Sequence, residues 1–370
     1  MKTAIISFLL SLFILAGCAN PSSQTGEENK SVAQKLFDDL MSITGKATLF
    51  GHQDDLAYGI GWKYVDGESD VKRTAGDYPA LFGWELGGIE LGHEMNLDSV
   101  PFNKMRQFAI WAHQNGGVNT FSWHPFSALD ESKSSWVTDE KVVKHILPGG
   151  SHHEVFLKHM DKLVAFFKEL NEENGEKLPF IFRPWHEMDG GWFWWGADLT
   201  TPDEMKELFR FTIDYMWEQG LDNFLVAYSP DRFFNSIDEY LTWYPGDEYV
   251  HVIGVDNYYD MRRGPDGLQD AILKLEIAAK YAKETGKIAA FTETGLDTIP
   301  DENWYTQSLA KVLNANEWTR RMAYVMVWRN HDLDHFYVPH PQHPAADDFR
   351  QFTSQQHIWL LNDWANYQQK

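Results

Sequence analysis

The sequence predicts an α/β protein that folds as a (β/α)8 TIM barrel in a single domain. Eight short apolar runs, each bounded by Gly, Pro or Asn, have the length of buried strands. Longer stretches with helical apolar spacing separate most of them. Such alternation of strand and helix is typical of a parallel barrel. The predicted strands are residues 47–51, 80–85, 118–124, 180–187, 224–230, 250–257, 288–293 and 322–328, and the clearest helices are 103–114, 154–170, 202–219, 271–285 and 304–314.

Polar and aromatic residues gather at the carboxyl ends of these predicted strands. In parallel barrels that end of the sheet carries the active site. A single polar residue often ends a strand for structural reasons alone. Their presence at all eight ends favours a binding or catalytic rim. They are His52, Gln53, Glu85, Trp123, His124, His186, Glu187, Tyr228, Ser229, Asp256, Asn257, Tyr258, Glu293, Trp328, Arg329 and Asn330.

Composition limits the classes of partner. The chain has 370 residues with a formal net charge of -22, and no run of Lys or Arg appears in it. Nucleic acid is therefore not an expected partner, because phosphate binding needs a basic face. The 16 Trp, 15 Tyr and 24 Phe give much flat apolar surface, most of it expected in the core. A neutral polysaccharide remains compatible with this balance.

The N-terminus resembles a bacterial lipoprotein signal. Lys2 precedes a short apolar stretch at residues 5–15, and Leu-Ala-Gly-Cys follows at 15–18. Cys18 is the only cysteine, which makes a lipid anchor its most economical role; the alternative is an ordinary signal peptide with an incidental Cys. We expect a signal peptide at 1–17, a flexible tether at 18–30 and one folded domain at 31–370. The expected location is the cell envelope, at the outer membrane, with the lipid as the only membrane attachment.

Two predicted strands end in a glutamate. Glu187 lies in RPWHEMDGGWFWWG at residues 183–196, and Glu293 lies in IAAFTETG at 288–295. Cleavage of a glycosidic bond needs two carboxyl groups that face one sugar ring. Strand alternation predicts that Arg183, Trp185 and Glu187 share one face, as do Phe291 and Glu293. Strands four and seven lie across the barrel, so the carboxyl groups could approach to about 5 to 5.5 Å, the separation for retention of configuration.

These motifs resemble glycoside hydrolase family 26 of clan A, best known for β-mannanases. The resemblance runs from about His52 to about Asn330. In the clan, the acid/base glutamate ends strand four and the nucleophile ends strand seven, which implies these roles for Glu187 and Glu293. Most clan families have Asn before the acid/base, whereas His186 stands there in this chain, as in family 26. The resemblance makes 31–370 a catalytic domain.

The same resemblance implies a set of substrate-binding residues. It implies that Tyr258 orients Glu293. It also implies that His124 and His186 contact the sugar at the cleavage point, and that Trp192 and Trp328 stack on sugar on either side of that point. For Arg329 a rim salt bridge is an equal alternative. The set is His124, His186, Trp192, Tyr258, Trp328 and Arg329.

The function implied is retaining hydrolysis of β-1,4-mannosidic linkages in mannan, galactomannan, glucomannan or their oligosaccharides, by a monomer. Action could be internal or mannobiose-releasing, since the long segment around His152 and His153 could close one end of the groove. The alternatives are another β-glycan, such as β-1,3-xylan or mixed-linkage glucan, and a non-catalytic glycan-binding surface lipoprotein. A binding protein would have no reason to keep both glutamates at strand ends.

A cluster near residues 331–343 raises the question of a metal. It contains His331, Asp332, Asp334, His335, His340 and His343. Their spacing matches no known zinc pattern, and glycoside hydrolysis needs no metal. We therefore predict no metal and no cofactor.

Overall fold

Eight parallel strands form a closed barrel in the computed structural model, which describes residues 30–136 and 139–369. Each strand pairs with its neighbours in chain order, and the eighth pairs with the first, with Tyr324 opposite Leu49. The predicted (β/α)8 architecture is confirmed. The strands are β1 Thr48–Gln53, β2 Leu81–Glu85, β3 Val118–Trp123, β4 Phe180–Pro184, β5 Phe224–Tyr228, β6 Val252–Asp256, β7 Ile288–Thr294 and β8 Met322–Val327.

Helices surround this barrel, and the described residues from Ser31 onward belong to one compact unit. The five predicted helices correspond to α3, α5, α6, α8 and α9, although the last is preceded by a π-helical turn, Tyr305–Leu309. The helices are α1 Val32–Ile43, α2 Asp70–Ala75, α3 Phe102–Gln114, α4 Val143–Ile146, α5 His153–Asn174, α6 Pro202–Glu218, α7 Ile237–Tyr240, α8 Pro265–Thr285, α9 Ala310–Leu313, α10 Ala346–Thr353 and α11 Leu361–Gln368.

Shorter elements fill the connections. A two-stranded antiparallel hairpin, Tyr58–Gly59 with Trp62–Lys63, follows β1, and Ile358–Trp359 adds a short parallel pairing at the start of β1. Four 3-10 turns complete the elements of the described residues: Ile89–Leu91, Leu241–Trp243, Asp260–Arg262 and Thr319–Arg321. In the same residues, no helix combines the length and the apolar character that crossing a membrane requires.

Local sequence signals fix the helix that follows β4. Thr201 caps the first turn of α6, and Glu204 bonds back to Thr201 in a capping box, with Pro202 at the first helical position. The preceding helix, α5, ends at Gly175, which adopts φ 82° and donates its backbone N–H to the carbonyl of Glu172 in the last turn. The cap at Thr201 fixes where the loop between β4 and α6, which carries Glu187, ends, and Gly175 fixes where the connection from α5 to β4 begins.

The core has two layers that leave the top of the barrel polar. Leu40 and Ile43 of α1 join the inner residues Leu49, Ile181 and Leu225 in one apolar cluster, so α1 closes the amino-terminal end of the barrel. The outer faces of the strands pack against the surrounding helices in a larger cluster. Apolar packing therefore occupies the lower barrel, and the carboxyl end is left for the polar groups of a site.

Candidate active site

A cavity of about 800 Å³ opens at the carboxyl end of the barrel. Both predicted catalytic residues, Glu187 and Glu293, line it. Five of the six predicted substrate-binding residues line it too: His124, His186, Trp192, Tyr258 and Trp328. The sixth, Arg329, is not among the lining residues. Side chains at the carboxyl ends of β3, β4, β6, β7 and β8 thus meet in one space.

Glu293 reaches the cavity through a β-bulge, which strand alternation did not predict. The expectation that Phe291 and Glu293 share a face is wrong. Val255 of β6 pairs with Phe291, but Asp256 pairs with Glu293, so Thr292 is an extra residue in β7. Phe291 accordingly packs in the outer core, while Glu293 turns into the cavity. The bulge also lets Thr292 donate to Asp256 at 2.6 Å.

Glu187 reaches the cavity through left-handed backbone. Strand β4 ends at Pro184, and both Trp185 and Glu187 adopt positive φ, 53° and 55°. The expectation that Arg183, Trp185 and Glu187 share a face is therefore also wrong. Arg183 points inward, whereas the Trp185 indole donates to Thr212 of α6 in the outer layer. Such conformations cost energy in residues other than glycine and concentrate at functional sites.

Two donors hold the Glu293 carboxylate. The phenol of Tyr258 donates to Oε1 at 2.7 Å, which is the contact predicted for this tyrosine. The guanidinium of Arg183 donates to Oε2 and also to Asp256, at 2.6 Å. Burial, followed by the charge of Glu293, raises the pKa of Tyr258 well above its usual value, so the phenol keeps the proton that it donates. The carboxylate is thereby fixed in one orientation.

The opposing carboxyl group, Glu187, is set to keep its proton. Burial is the main cause that raises its pKa well above the ordinary value, and the negative charges of Glu293, Asp231 and Asp256 add to it. The Trp192 indole donates to Oε2 at 2.6 Å and lowers the pKa in part. Burial thus has a larger effect on this pKa than any of the neighbouring charges. One carboxyl group is thus a proton donor beside a second that is oriented as an acceptor.

A buried chain of three residues supports the histidines of the site. Glu85 at the end of β2 contacts His124 Nδ1 at 2.7 Å, and His124 Nε2 lies 3.0 Å from His186 Nε2. Burial alone would lower the pKa of His124, but the Glu85 carboxylate outweighs it and raises the pKa. Burial and nearby positive charge lower the pKa of His186 well below its usual range. These opposite shifts favour His124 as the donor and His186 as the acceptor in their contact.

Sequence reasoning missed the roles of Arg183, Asp256 and Glu85. Arg183 and Asp256 form a fully buried pair inside the barrel, and Ser229 also donates to Asp256. An arginine inside the apolar run FIFRPW was an available signal, because charged residues are rarely buried without a partner. The partner itself could not be read from the local sequence.

Arg329 lies at the rim and forms an ion pair. Its guanidinium contacts Asp98 at 3.0 Å and the Tyr58 hydroxyl at 3.5 Å. This is the salt bridge that the sequence left open as an alternative to sugar binding. The neighbouring residue, Trp328, does line the cavity, and its ring lies 6.4 Å from the His124 ring in an edge-on arrangement.

The histidine cluster after β8 forms separate pairs. His331 contacts Asp332 at 2.8 Å, and His335 contacts Asp297 at 3.4 Å. Within the residues that the structure describes, no three His, Cys, Asp or Glu side chains converge in a way that could hold a metal ion. Cys18 and the predicted signal and tether before residue 30 lie outside the described residues.

Comparison with known proteins identifies the family of this chain. The sequence model of Glycosyl hydrolase family 26 matches residues 25–334. A GH26 beta-mannanase from Bacteroides ovatus superimposes with a TM-score of 0.86 at 37% identity, over 90% of this chain and 96% of that one. An endo-beta-1,4-mannanase from Cellulomonas fimi superimposes with a TM-score of 0.82 at 33% identity, over 90% of this chain and 76% of that one.

Curated relatives agree, though they are longer proteins. A mannan endo-1,4-beta-mannosidase from Bifidobacterium adolescentis is 33% identical in an alignment of 317 positions that covers 80% of this chain and 31% of that protein. Another from Thermothelomyces thermophilus is 28% identical over 76% of this chain, which spans 53% of its length. Because the family model matches residues 25–334 and a family member superimposes over 90% of the chain, the chain belongs to glycosyl hydrolase family 26.

Proposed function

We propose that this protein hydrolyses β-1,4-mannosidic linkages with retention of configuration. The observation that carries the proposal is the pair Glu187 and Glu293, which line one cavity from β4 and β7 in contrasting environments. Support for mannan comes from the relatives, since the B. adolescentis and T. thermophilus proteins are named mannan endo-1,4-beta-mannosidases. Membership of the family supports the double-displacement chemistry.

In the first step Glu293 attacks the anomeric carbon while the glycosidic oxygen leaves. The attacking carboxylate is oriented by Tyr258 and Arg183. Glu187 gives its proton to the departing oxygen, so the leaving group departs as a neutral hydroxyl. The bond from the sugar to its neighbour breaks and an ester to Glu293 forms, which completes one displacement.

In the second step water cleaves the ester. Esterification removes the charge of Glu293, which is one cause of the raised pKa of Glu187. The pKa of Glu187 then falls, and the carboxylate left by the first step takes a proton from the incoming water. The oxygen of that water attacks the anomeric carbon, Glu293 is released, and the product keeps the starting configuration.

The proposed sugar contacts use the remaining lining residues. Trp192 and Trp328 offer flat faces on either side of the cleavage point, where C–H faces of a pyranose can stack. His124 and His186 also line the cavity. Arg329 is proposed to contribute at the rim through the hydrogen-bonding capacity that its pairing with Asp98 leaves free.

Reducing-sugar release from mannan, β-1,3-xylan and mixed-linkage glucan by the purified protein tests the proposal. We expect release from mannan, and NMR of the first product should show the β-anomer before mutarotation. Release from a different glycan alone, or first formation of the α-anomer, would refute it. Early products from a long mannan distinguish the two modes of action: a ladder of sizes means internal attack, and mannobiose alone means release from chain ends.

We also propose, from the sequence alone, that Cys18 is lipidated and anchors the protein in the cell envelope, at the outer membrane. The Leu-Ala-Gly-Cys motif at 15–18 supports this. Mass spectrometry of the N-terminal peptide from expressed full-length protein should show a diacylglyceryl cysteine. A Cys18→Ala variant should move to the soluble fraction, and an unmodified Cys18 in the membrane fraction would refute the anchor.

A further inference from the structure

A guanidinium group stacked between aromatic rings forms one edge of the cavity. The Arg232 guanidinium carbon lies 4.4 Å from the centre of the Phe233 ring and 4.4 Å from that of Tyr259. It also lies 5.8 Å from the Trp192 ring. Arg232, Tyr259 and Trp192 all line the cavity. Stacking on ring faces leaves the edge of a guanidinium, with its N–H groups, open to acceptors.

The loop that carries this arginine is tied to the loop that carries Glu187. The Asp189 carboxylate accepts from the backbone N–H of Asp231 at 2.6 Å and from that of Phe233 at 2.8 Å. The Asp231 carboxylate in turn pairs with the Arg232 guanidinium. Backbone on both sides of Arg232 is thus fixed to the residue two positions after Glu187, so the arginine is positioned before any sugar arrives.

The position of Arg232 places it on the side of the departing sugar. The departing sugar must lie next to the proton donor, Glu187, which follows β4. Arg232 follows the neighbouring strand, β5, and Tyr259 follows β6, whereas Trp328 follows β8 on the far side of the barrel. Trp192, whose indole bonds Glu187, lies between the acid and the arginine.

The ring surface at this edge is uncovered. Phe233 is 53% exposed, and Tyr259, which lines the cavity, is 39% exposed. Exposed aromatic faces beside a polar donor match the chemistry of a pyranose, which offers C–H faces for stacking and hydroxyl oxygens as acceptors. An arginine whose only task was to neutralise Asp231 would not need two exposed rings around it.

We propose that Arg232, held by Asp231 and framed by Phe233 and Tyr259, forms a subsite for the second sugar on the leaving side of the bond that is cleaved. The first leaving-side sugar stacks on Trp192, and the next one accepts hydrogen bonds from the guanidinium edge. This inference rests on the proposed mannan hydrolysis and identifies residues that select longer leaving groups. Arg232 is a specificity-determining residue and takes no part in proton transfer.

Two substrates separate this role from a general effect on the site. β-1,4-Mannopentaose has sugars on the leaving side, whereas 2,4-dinitrophenyl β-mannobioside has none. For Arg232→Ala, the ratio of kcat/KM on the pentaose to kcat/KM on the aryl mannobioside should fall about tenfold relative to wild type, as expected for loss of a charged hydrogen bond. Arg232→Lys keeps the charge but loses the planar edge, and should show a smaller fall in the same direction.

The matched control is Arg263→Ala. The Arg263 guanidinium also lies over the Tyr259 ring, at 5.1 Å, but it pairs with Asp260 and Asp270. Its ratio should stay at the wild-type value. Equal losses on both substrates in Arg232→Ala would overturn the inference. A shifted alkaline limb of its kcat/KM profile on the pentaose would overturn it too, because the charge of Asp231 acts on Glu187 and the aryl mannobioside needs little help from that acid. Inactivity of the wild-type protein on mannopentaose would instead refute the proposed function itself, and the inference with it.

Discussion

The indole N–H of Trp192 donates to Oε2 of Glu187 at 2.6 Å. The bond joins a ring proposed to bind sugar to the carboxyl group proposed to move the proton. It lowers the pKa of Glu187, against burial and the charge of Glu293, which both raise it. The same side chain therefore sets the position of the leaving sugar and moderates the acidity of the group that protonates it.

Replacing Trp192 with Phe should shift the pH dependence of catalysis. The ring surface stays largely in place, but the donor to Glu187 is lost, so the pKa of Glu187 should rise further. Because Glu187 must carry its proton in the first step, the alkaline limb of the kcat/KM profile should move to higher pH. Trp328→Phe is the matched control, expected to weaken binding without moving that limb. A limb that stayed or moved to lower pH in Trp192→Phe would contradict this role.

Removing Glu187 should affect substrates according to their leaving groups. In a natural mannan the departing group is a sugar hydroxyl, which is a poor leaving group unless it receives a proton. In the aryl substrate the departing group is 2,4-dinitrophenolate, which needs no proton. Glu187→Ala should therefore lose about 100-fold or more in kcat/KM on manno-oligosaccharides and much less on 2,4-dinitrophenyl β-mannobioside. Glu293→Ala should abolish hydrolysis of both. Similar losses on both substrates in Glu187→Ala would argue against its role as the acid.

The bond from Tyr258 to Glu293 should matter for turnover more than for folding. Tyr258→Phe removes the hydroxyl that contacts Oε1 at 2.7 Å and leaves the ring. The nucleophile loses one of its two donors, and we expect kcat to fall about 10- to 100-fold. Thermal unfolding should shift little, since a single hydroxyl at the cavity wall is removed. Full kcat in the variant would show that Arg183 alone suffices to orient the carboxylate.

A buried carboxyl group away from the cavity should make stability depend on pH. Glu90 is fully buried, and it accepts from the backbone N–H groups of Gly88 and Phe126 and from the Trp123 indole. Burial raises its pKa from 4.5 to about 7. The folded state therefore binds a proton that the unfolded state has already lost between these two values. The contribution of Glu90 to stability falls as pH rises through that window.

Urea unfolding of wild type and Glu90→Gln at several pH values tests this behaviour. The free energy of unfolding of wild type, relative to that of the variant, should fall by at most about 3 kcal/mol between pH 5 and pH 8. Glutamine has no proton to lose, so the variant lacks the pH-dependent contribution of Glu90 to the free energy of unfolding. The other titrating groups contribute equally to both proteins and cancel in the difference. A constant difference between the two curves would mean that Glu90 does not titrate in the folded state over this range.

The sequence by itself determined the barrel, its strands and the identity of the two glutamates. Short continuous apolar runs and helical apolar spacing are local properties, so they can be recognised without the tertiary structure. The positions of Glu187 and Glu293 at the ends of β4 and β7 followed directly, because a parallel barrel brings all its carboxyl ends to one face.

Only the tertiary structure decided how those glutamates point and what surrounds them. The extra residue Thr292 in β7 and the left-handed backbone at Glu187 break the alternation that the sequence predicted. Arg183 donates to Asp256 and Glu293, which lie 73 and 110 residues later in the sequence. Bulges and buried ion pairs depend on register and long-range packing, whereas a sequence pattern records only the apolar or polar character of each position.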